Sequence, residues 1–426
     1  MFREFDYENR PVVDIVNEIL DDATSRGASD IHFDPDSKGI NVRIRIDGEL
    51  NDYAKVPKSV MKNLTTRVKI ISGMNITETR LPQDGSIKKV EGDKQIDMRV
   101  SSLPTIYGEK VVIRILDYSM SLEGLETLGF SEYNLEKIKR VINIPNGIIL
   151  VTGATGSGKS TTVYSMLQAI NKPEINIITV EDPVEMKMKG INQVQVMSEI
   201  GLDFSTALRS ILRQDPDIIM IGEIRDAETA RIAVRASITG HLVLSTIHTN
   251  NSLNTIERLL DMDVERYLLG SALEGIISQR LVKKLCPKCR KSRQTTPDEK
   301  QLFKTILNKD IEAIYEPVGC DDCIDGYKGR TAVQEVLILN QDIRDAITNN
   351  VRKDALRKLI YNKKNTVSVL EDGLEKVILG YTSIDEIVRV ISLEDDFGED
   401  DEELKQAFIG KMVQNKAPEE EIEMLD

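Results

Sequence analysis

Residues 150–162 read LVTGATGSGKSTT; they continue the apolar run Gly147-Ile148-Ile149-Leu150-Val151 and lead into the helix-compatible stretch STTVYSMLQAI. The GxxxxGK[ST] core runs from Gly153 to Ser160. Strand, glycine-rich loop and helix in that order make a phosphate cradle. Glycines 153, 156 and 158 let backbone N–H groups wrap a β-phosphate without Cβ clashes, and the helix N-terminus favours the anion. Lys159 reaches the β- and γ-phosphates, and the Ser160 hydroxyl ligates Mg²⁺. The chain is expected to bind ATP through this loop, from Gly153, Ala154, Thr155, Gly156, Ser157 and Gly158 to Lys159 and Ser160.

Other strands in the same half are apolar on both faces: INIITVED, DIIMIGE and HLVLSTIHT. Such runs alternating with helices belong to a parallel sheet covered on both sides. Their carboxyl ends carry the chemistry, as ligand sites of open α/β sheets require. Glu223 ends DIIMIGE, placed to hold Mg²⁺ through water or to polarise the attacking water. Glu181, Asp182 and Glu185 follow ITV on the same rim. His248 ends HLVLSTIHT, where an imidazole can donate a hydrogen bond to a γ-phosphate. The other histidines are His32 and His241.

The first half reads differently. Pro11–Ala23 places Val12, Ile15, Val16, Ile19, Leu20 and Ala23 on one helical face, with Gly27 to end it. INVRIRIDG and KQIDMRVSS alternate apolar and polar residues, and Asp47-Gly48 is a hairpin signal. One helix followed by several alternating strands predicts an α+β domain over residues 1–116. A linker follows at 117–129, then the ATPase domain at 130–393.

No apolar run approaches the roughly 18–20 residues of a membrane span, and MFREFDYENR lacks a signal-peptide core; a cytosolic protein with only peripheral membrane association is expected. Net charge is −14, of which −10 falls in residues 394–426. The acidity therefore characterises a tail, expected to be solvated and partly disordered, and not the partners of the folded body.

All four cysteines lie in two CxxC pairs, Cys286/Cys289 and Cys320/Cys323. In a cytosolic chain, two close thiol pairs suit a tetrahedral, structural Zn²⁺ better than disulfides. These pairs lie in an insert at 281–330, and the stretch RLVKKLCPKCRKSR about the first pair carries Arg280, Lys283, Lys284, Lys288, Arg290, Lys291 and Arg293. Without a stacking aromatic in this patch, an anionic lipid or acidic protein surface is expected over nucleic acid. A helical segment at 331–393 closes the body.

These motifs together resemble the type II secretion and type IV pilus assembly ATPases, within the secretion ATPase superfamily. The resemblance extends from ASDIHFDP through RLPQDG, DMRVSSLPTIYGEKVVIRIL, the phosphate loop, ITVEDPVE, LRSILRQDPDIIMIGEIRDAETA, TGHLVLSTIHTN and the double CxxC to EDGLEKVILGYTSIDEIVRV. It implies a PAS-like N-terminal domain and a RecA-like ATPase domain with a zinc-binding insert. It implies a homohexameric ring on the cytoplasmic face of the inner membrane, turning a polytopic platform protein that adds pilin-like subunits to a fibre. Carried over, Lys159, Ser160 and Thr161 handle phosphates and Mg²⁺, Glu223 polarises water with Glu181 or Glu185 assisting, and His248 senses the γ-phosphate. The family's N-terminal arginines match Arg99 and Arg114. Longer members carry a further N-terminal domain that docks to a recruiting partner; only about ten residues precede the first helix here.

The same resemblance covers motors of a type IV pilus, a secretion pseudopilus and a DNA-uptake pseudopilus. Retraction and conjugation-type ATPases share the ring core, and the double CxxC argues against both. From another class, an ATP-gated, zinc-containing scaffold that binds nucleic acid is the competing expectation.

Overall fold

The computed structural model describes residues 2–91, 94–116, 124–361 and 366–391, together with Lys405 and Phe408. The chain forms two compact units, Met1–Tyr118 and Ser119–Asp426. Most of the expected linker and nearly all of the acidic tail lie outside the described residues; Leu125–Leu128 form a short 3-10 turn.

The first unit runs α1 (Val12–Ser25), β1 (Asp30–Pro35), β2 (Gly39–Ile46), β3 (Glu49–Pro57), α2 (Lys58–Ile71), β4 (Gln83–Glu91), β5 (Lys94–Thr105) and β6 (Gly108–Leu116). Its antiparallel sheet has the order β3-β2-β1-β6-β5-β4. Asp47 and Gly48 both take positive φ (51° and 93°), the backbone a two-residue hairpin loop needs to match strand twist. Ile15, Val16, Ile19, Leu20 and Ala23 of α1 are buried, as the helical period requires.

The second unit comprises α3 (Glu132–Val141), β7 (Gly147–Thr152), α4 (Lys159–Ile170), β8 (Ile177–Glu181), β9 (Asn192–Gln195), α5 (Phe204–Ile211), β10 (Ile218–Ile221), α6 (Ala227–Ile238), β11 (Leu242–Ile247), α7 (Ser252–Asp261) and α8 (Arg266–Ala272). It continues with β12 (Leu273–Leu285), β13 (Lys291–Gln294), α9 (Pro297–Leu307), β14 (Ala313–Glu316), β15 (Tyr327–Ile338), α10 (Gln341–Thr348), α11 (Lys353–Ile360), α12 (Val369–Ile378) and α13 (Ile384–Val390). The main sheet has the order β15-β12-β7-β11-β10-β8-β9. All neighbours pair parallel except β15 on β12. Every residue of β7, β8, β10 and β11 is buried, which is why these strands lack alternation. Leu150, Val180, Ile219 and Val243 join residues of α5–α8, α10 and α11 in one apolar cluster.

Two expectations change. The segment 331–393 is not helical from its start, because residues up to Ile338 extend β15 along β12. Six consecutive buried residues there mimic a buried helix in sequence and were indistinguishable from one by period. The cysteine segment is correspondingly suspended between two strands of the main sheet. The tail is not wholly solvated either: Phe408 is 0% exposed and packs with Phe303, Leu374 and Ile387, since a phenyl ring among carboxylates still gains by leaving water.

Candidate functional site

The phosphate loop joins the end of β7 to the start of α4. Lys159 opens α4 and folds back so that Nζ donates to the carbonyls of Gly153 (2.8 Å) and Ala154 (3.0 Å). Burial lowers its ammonium pKa, and the Glu223 charge opposes the shift. The loop fits an anion: Gly153, Gly156 and Gly158 all take positive φ. A Cβ at Gly153 would lie 2.5 Å from Ser157 Oγ, and that buried hydroxyl has no protein partner.

Glu223 follows β10 and His248 follows β11, so parallel pairing brings both to one sheet edge. His248 Nε2 lies 3.4 Å from Glu223 Oε2, and Arg225 binds Glu223 Oε1. Burial, reinforced by the Lys159 charge, lowers the His248 pKa below 6.5 against the pull of Glu223. The shift favours the neutral imidazole, a hydrogen-bond donor through its one N–H. Thr152 and Thr249 hydroxyls meet at 2.6 Å, and Thr249 meets Thr255 at 2.6 Å. This hydroxyl chain fastens the His248 segment to the foot of the loop.

The two other rim glutamates separate. Glu181 is 3% exposed and accepts from Thr179 (2.5 Å), from Gln193 (3.1 Å) and from the Tyr164 hydroxyl. Glu185 is half-buried, and its backbone N–H donates to the same Tyr164 oxygen at 3.3 Å. Arg99 and Arg114 belong to the first unit, where they are opposite one another on β5 and β6. Arg114 is 64% exposed, with Nε donating to Asp30 at 3.0 Å.

The four cysteine sulfurs lie within 4.8 Å of one another. Cys286–Cys320, Cys289–Cys323 and Cys320–Cys323 Sγ separations are 3.9, 3.7 and 3.5 Å. Disulfides would hold sulfurs about 2.05 Å apart, whereas a zinc tetrahedron with bonds of about 2.3 Å has edges of about 3.8 Å. The surrounding basic residues are largely engaged. Lys288 pairs with Asp322 at 2.6 Å, Arg293 forks onto Glu299, and Arg290 caps the Gly380 carbonyl. Lys283 lies over the Tyr327 ring.

Sequence reasoning missed Tyr164, Arg225 and Gln279. Arg225 stands two residues from Glu223 and was findable; Tyr164 and Gln279 meet the site only through tertiary packing.

A phosphate loop after a central parallel strand, with acids and a neutral histidine on the neighbouring strand ends, defines a P-loop nucleotide-binding protein. The Type II/IV secretion system protein profile matches residues 6–389, and the chain belongs to that family. It is 47% identical to the putative type II secretion system protein E of Escherichia coli K12 over 90% of this chain and 77% of that protein. It is 42% identical to the type II secretion system ATPase E of Vibrio cholerae, covering 90% and 76%. With the type IV pilus assembly ATPase PilB of Myxococcus xanthus it shares 46% identity, covering 89% and 68%. Among solved structures it is similar to the pilus retraction motor PilT bound to ADP, with TM-score 0.60, 27% identity, and coverage of 89% and 97%. The Legionella pneumophila ATPase DotB shares the fold, with TM-score 0.67, 21% identity, and coverage of 90% and 97%.

Proposed function

We propose that this chain is an extension ATPase that hydrolyses ATP to power type II secretion or type IV pilus assembly. The observation that carries the reading is the convergence of Lys159, Glu223 and His248 on one sheet edge, in a chain 42–47% identical to secretion and pilus ATPases. No helix among the described residues is long and apolar enough to cross a membrane. In this reading, which rests on the likeness to secretion and pilus ATPases, the motor works as a homohexamer on the cytoplasmic face of the inner membrane, beneath a polytopic platform protein.

The chemistry divides among the residues as follows. Loop N–H groups and Lys159 bind and orient the phosphates of ATP. Ser160 and Thr161 would hold Mg²⁺, which would supply charge neutralisation for phosphoryl transfer. Glu223 takes hydrogen bonds from the attacking water and aligns it. His248 donates its one N–H either to Glu223, 3.4 Å from Nε2, or to the γ-phosphate, so the donation to phosphate releases the water-holding acid. Glu181 or Glu185 supports the rim, and Arg99 and Arg114 supply the positive charge that phosphoryl transfer needs. Cys286, Cys289, Cys320 and Cys323 hold a structural Zn²⁺, the sulfur spacing being that of a closed tetrahedral site.

Tagged Glu223→Gln, which keeps ATP bound, tests the partner. Membranes of the native host should yield a polytopic platform protein with pilin-like subunits, and the subunit type names the machine. Nucleic acid with no membrane partner would overturn the motor in favour of the scaffold.

A further inference from the structure

Gln279 lies on β12 beside Ser278, which is in register with Thr152 at the foot of the phosphate loop. It is 1% exposed, and its amide grips two segments at once. Nε2 donates to the Ser157 carbonyl at 2.7 Å. Oε1 accepts from the Thr162 hydroxyl, in the first turn of α4, at 2.8 Å. The loop glycines record the closeness: a Cβ at Gly153 would lie 2.4 Å from the Gln279 carbonyl oxygen, and one at Gly158 3.0 Å from Nε2.

The bond to Ser157 has a consequence for the anion site. A trans peptide is planar, with its C=O and N–H pointing in opposite directions. Gly158 has φ of +88°, and glycine reaches either sign of φ at little steric cost. The Ser157–Gly158 peptide can therefore turn over, presenting a carbonyl where an anion needs an N–H. Anion-binding loops work only while successive N–H groups converge.

We infer that Gln279 is a positioning residue: its amide N–H holds the Ser157 carbonyl so that the Gly158 N–H stays turned toward bound phosphates. Gln279 touches no reacting atom and acts through the loop. The inference rests on the reading of the loop as the nucleotide site. It assigns the donor side of the amide to nucleotide affinity, and the acceptor side to helix packing.

Three variants of the full chain separate these roles. Gln279→Glu keeps an acceptor for Thr162 but removes the donor to Ser157. Gln279→Met keeps the length and removes both bonds. Thr162→Val removes the other bond alone. Affinity is read by titration with fluorescent ADP, and KM and kcat with Mg-ATP. The expected result is a loss of ADP affinity and a rise in KM of about tenfold or more in both Gln279 variants. Their kcat should stay within about threefold, the split that marks lost uniform binding. Thr162→Val should shift affinity less than about threefold.

ADP affinity within about twofold of wild type in Gln279→Glu, or a fall in kcat at constant KM, would overturn the inference. Equal damage from Thr162→Val would overturn it too, by moving the effect to the helix contact. If Gln279→Glu does not fold, Gln279→Met decides by the same thresholds. Lys159→Ala run alongside distinguishes the two levels. Unchanged ADP affinity there removes the nucleotide site itself, whereas loss there with intact affinity in Gln279→Glu removes only the role of Gln279.

Discussion

Tyr164→Phe deletes one oxygen from a buried junction, and its cost can be worked from the contacts. The hydroxyl donates to Glu181 and accepts the Glu185 N–H. Glu181 is 3% exposed, so water does not replace the lost donor. A hydrogen bond to a charged group contributes about 1.5–3 kcal/mol and a neutral one about 1 kcal/mol. Together they put the variant about 2.5–4 kcal/mol below wild type. For a large domain that is a fall of roughly 5–10 °C in Tm. Thr179 and Gln193 still hold the other Glu181 oxygen, which keeps the loss from being larger. The assay is thermal unfolding without nucleotide, by calorimetry, for Tyr164→Phe, Glu181→Gln and the pair. The double variant should lose less than the sum of the singles, because both act on one bond. An unchanged Tm in Tyr164→Phe, or strict additivity, would refute the argument that this junction fastens the Glu185 segment to α4.

Three further outcomes are expected. Cys286→Ser should lower Tm and abolish stoichiometric zinc by metal analysis, whereas unchanged Tm with no zinc in wild type would remove the metal site. Because burial and Lys159 lower the His248 pKa below 6.5, the unfolded chain takes up that proton first as pH falls; this contribution to stability is full above pH 6.5 and declines below it toward the folded pKa. Comparing Tm between pH 7.5 and 5.5 in wild type and His248→Gln should show a steeper acid-side loss in wild type, and equal slopes would contradict the linkage. Arg114→Ala should slow ATP hydrolysis about a hundredfold or more with a smaller effect on ATP affinity, as a charge acting on the transferring phosphoryl group would; unaltered turnover removes it from the site.

What the sequence disclosed follows from how locally each feature is encoded. The glycine spacing of 153–158 and the uniformly apolar β7, β8, β10 and β11 are short-range patterns, and parallel pairing then carries Glu223 and His248 to one edge. The cysteine cluster was equally legible, since CxxC brings sulfurs together in pairs whatever the long connection does. Tyr164 and Gln279 were not legible: each is an ordinary residue whose meaning depends on partners 17 and 122 residues away. The strand at 331–338 was hidden for a related reason, because burial on both faces erases the alternation that identifies a strand. Phe408 shows the same limit in an acidic tail, where composition alone gives no sign of one buried ring.

Glu223 is proposed to drive hydrolysis of ATP held by the phosphate loop. Single-turnover hydrolysis with ATP binding measured in parallel, in wild type and Glu223→Gln, addresses it most directly. ATP affinity should stay within about threefold of wild type and the hydrolysis rate should fall by about a hundredfold or more. Wild-type hydrolysis in Glu223→Gln, or absence of ATP binding by the wild-type chain, would contradict it.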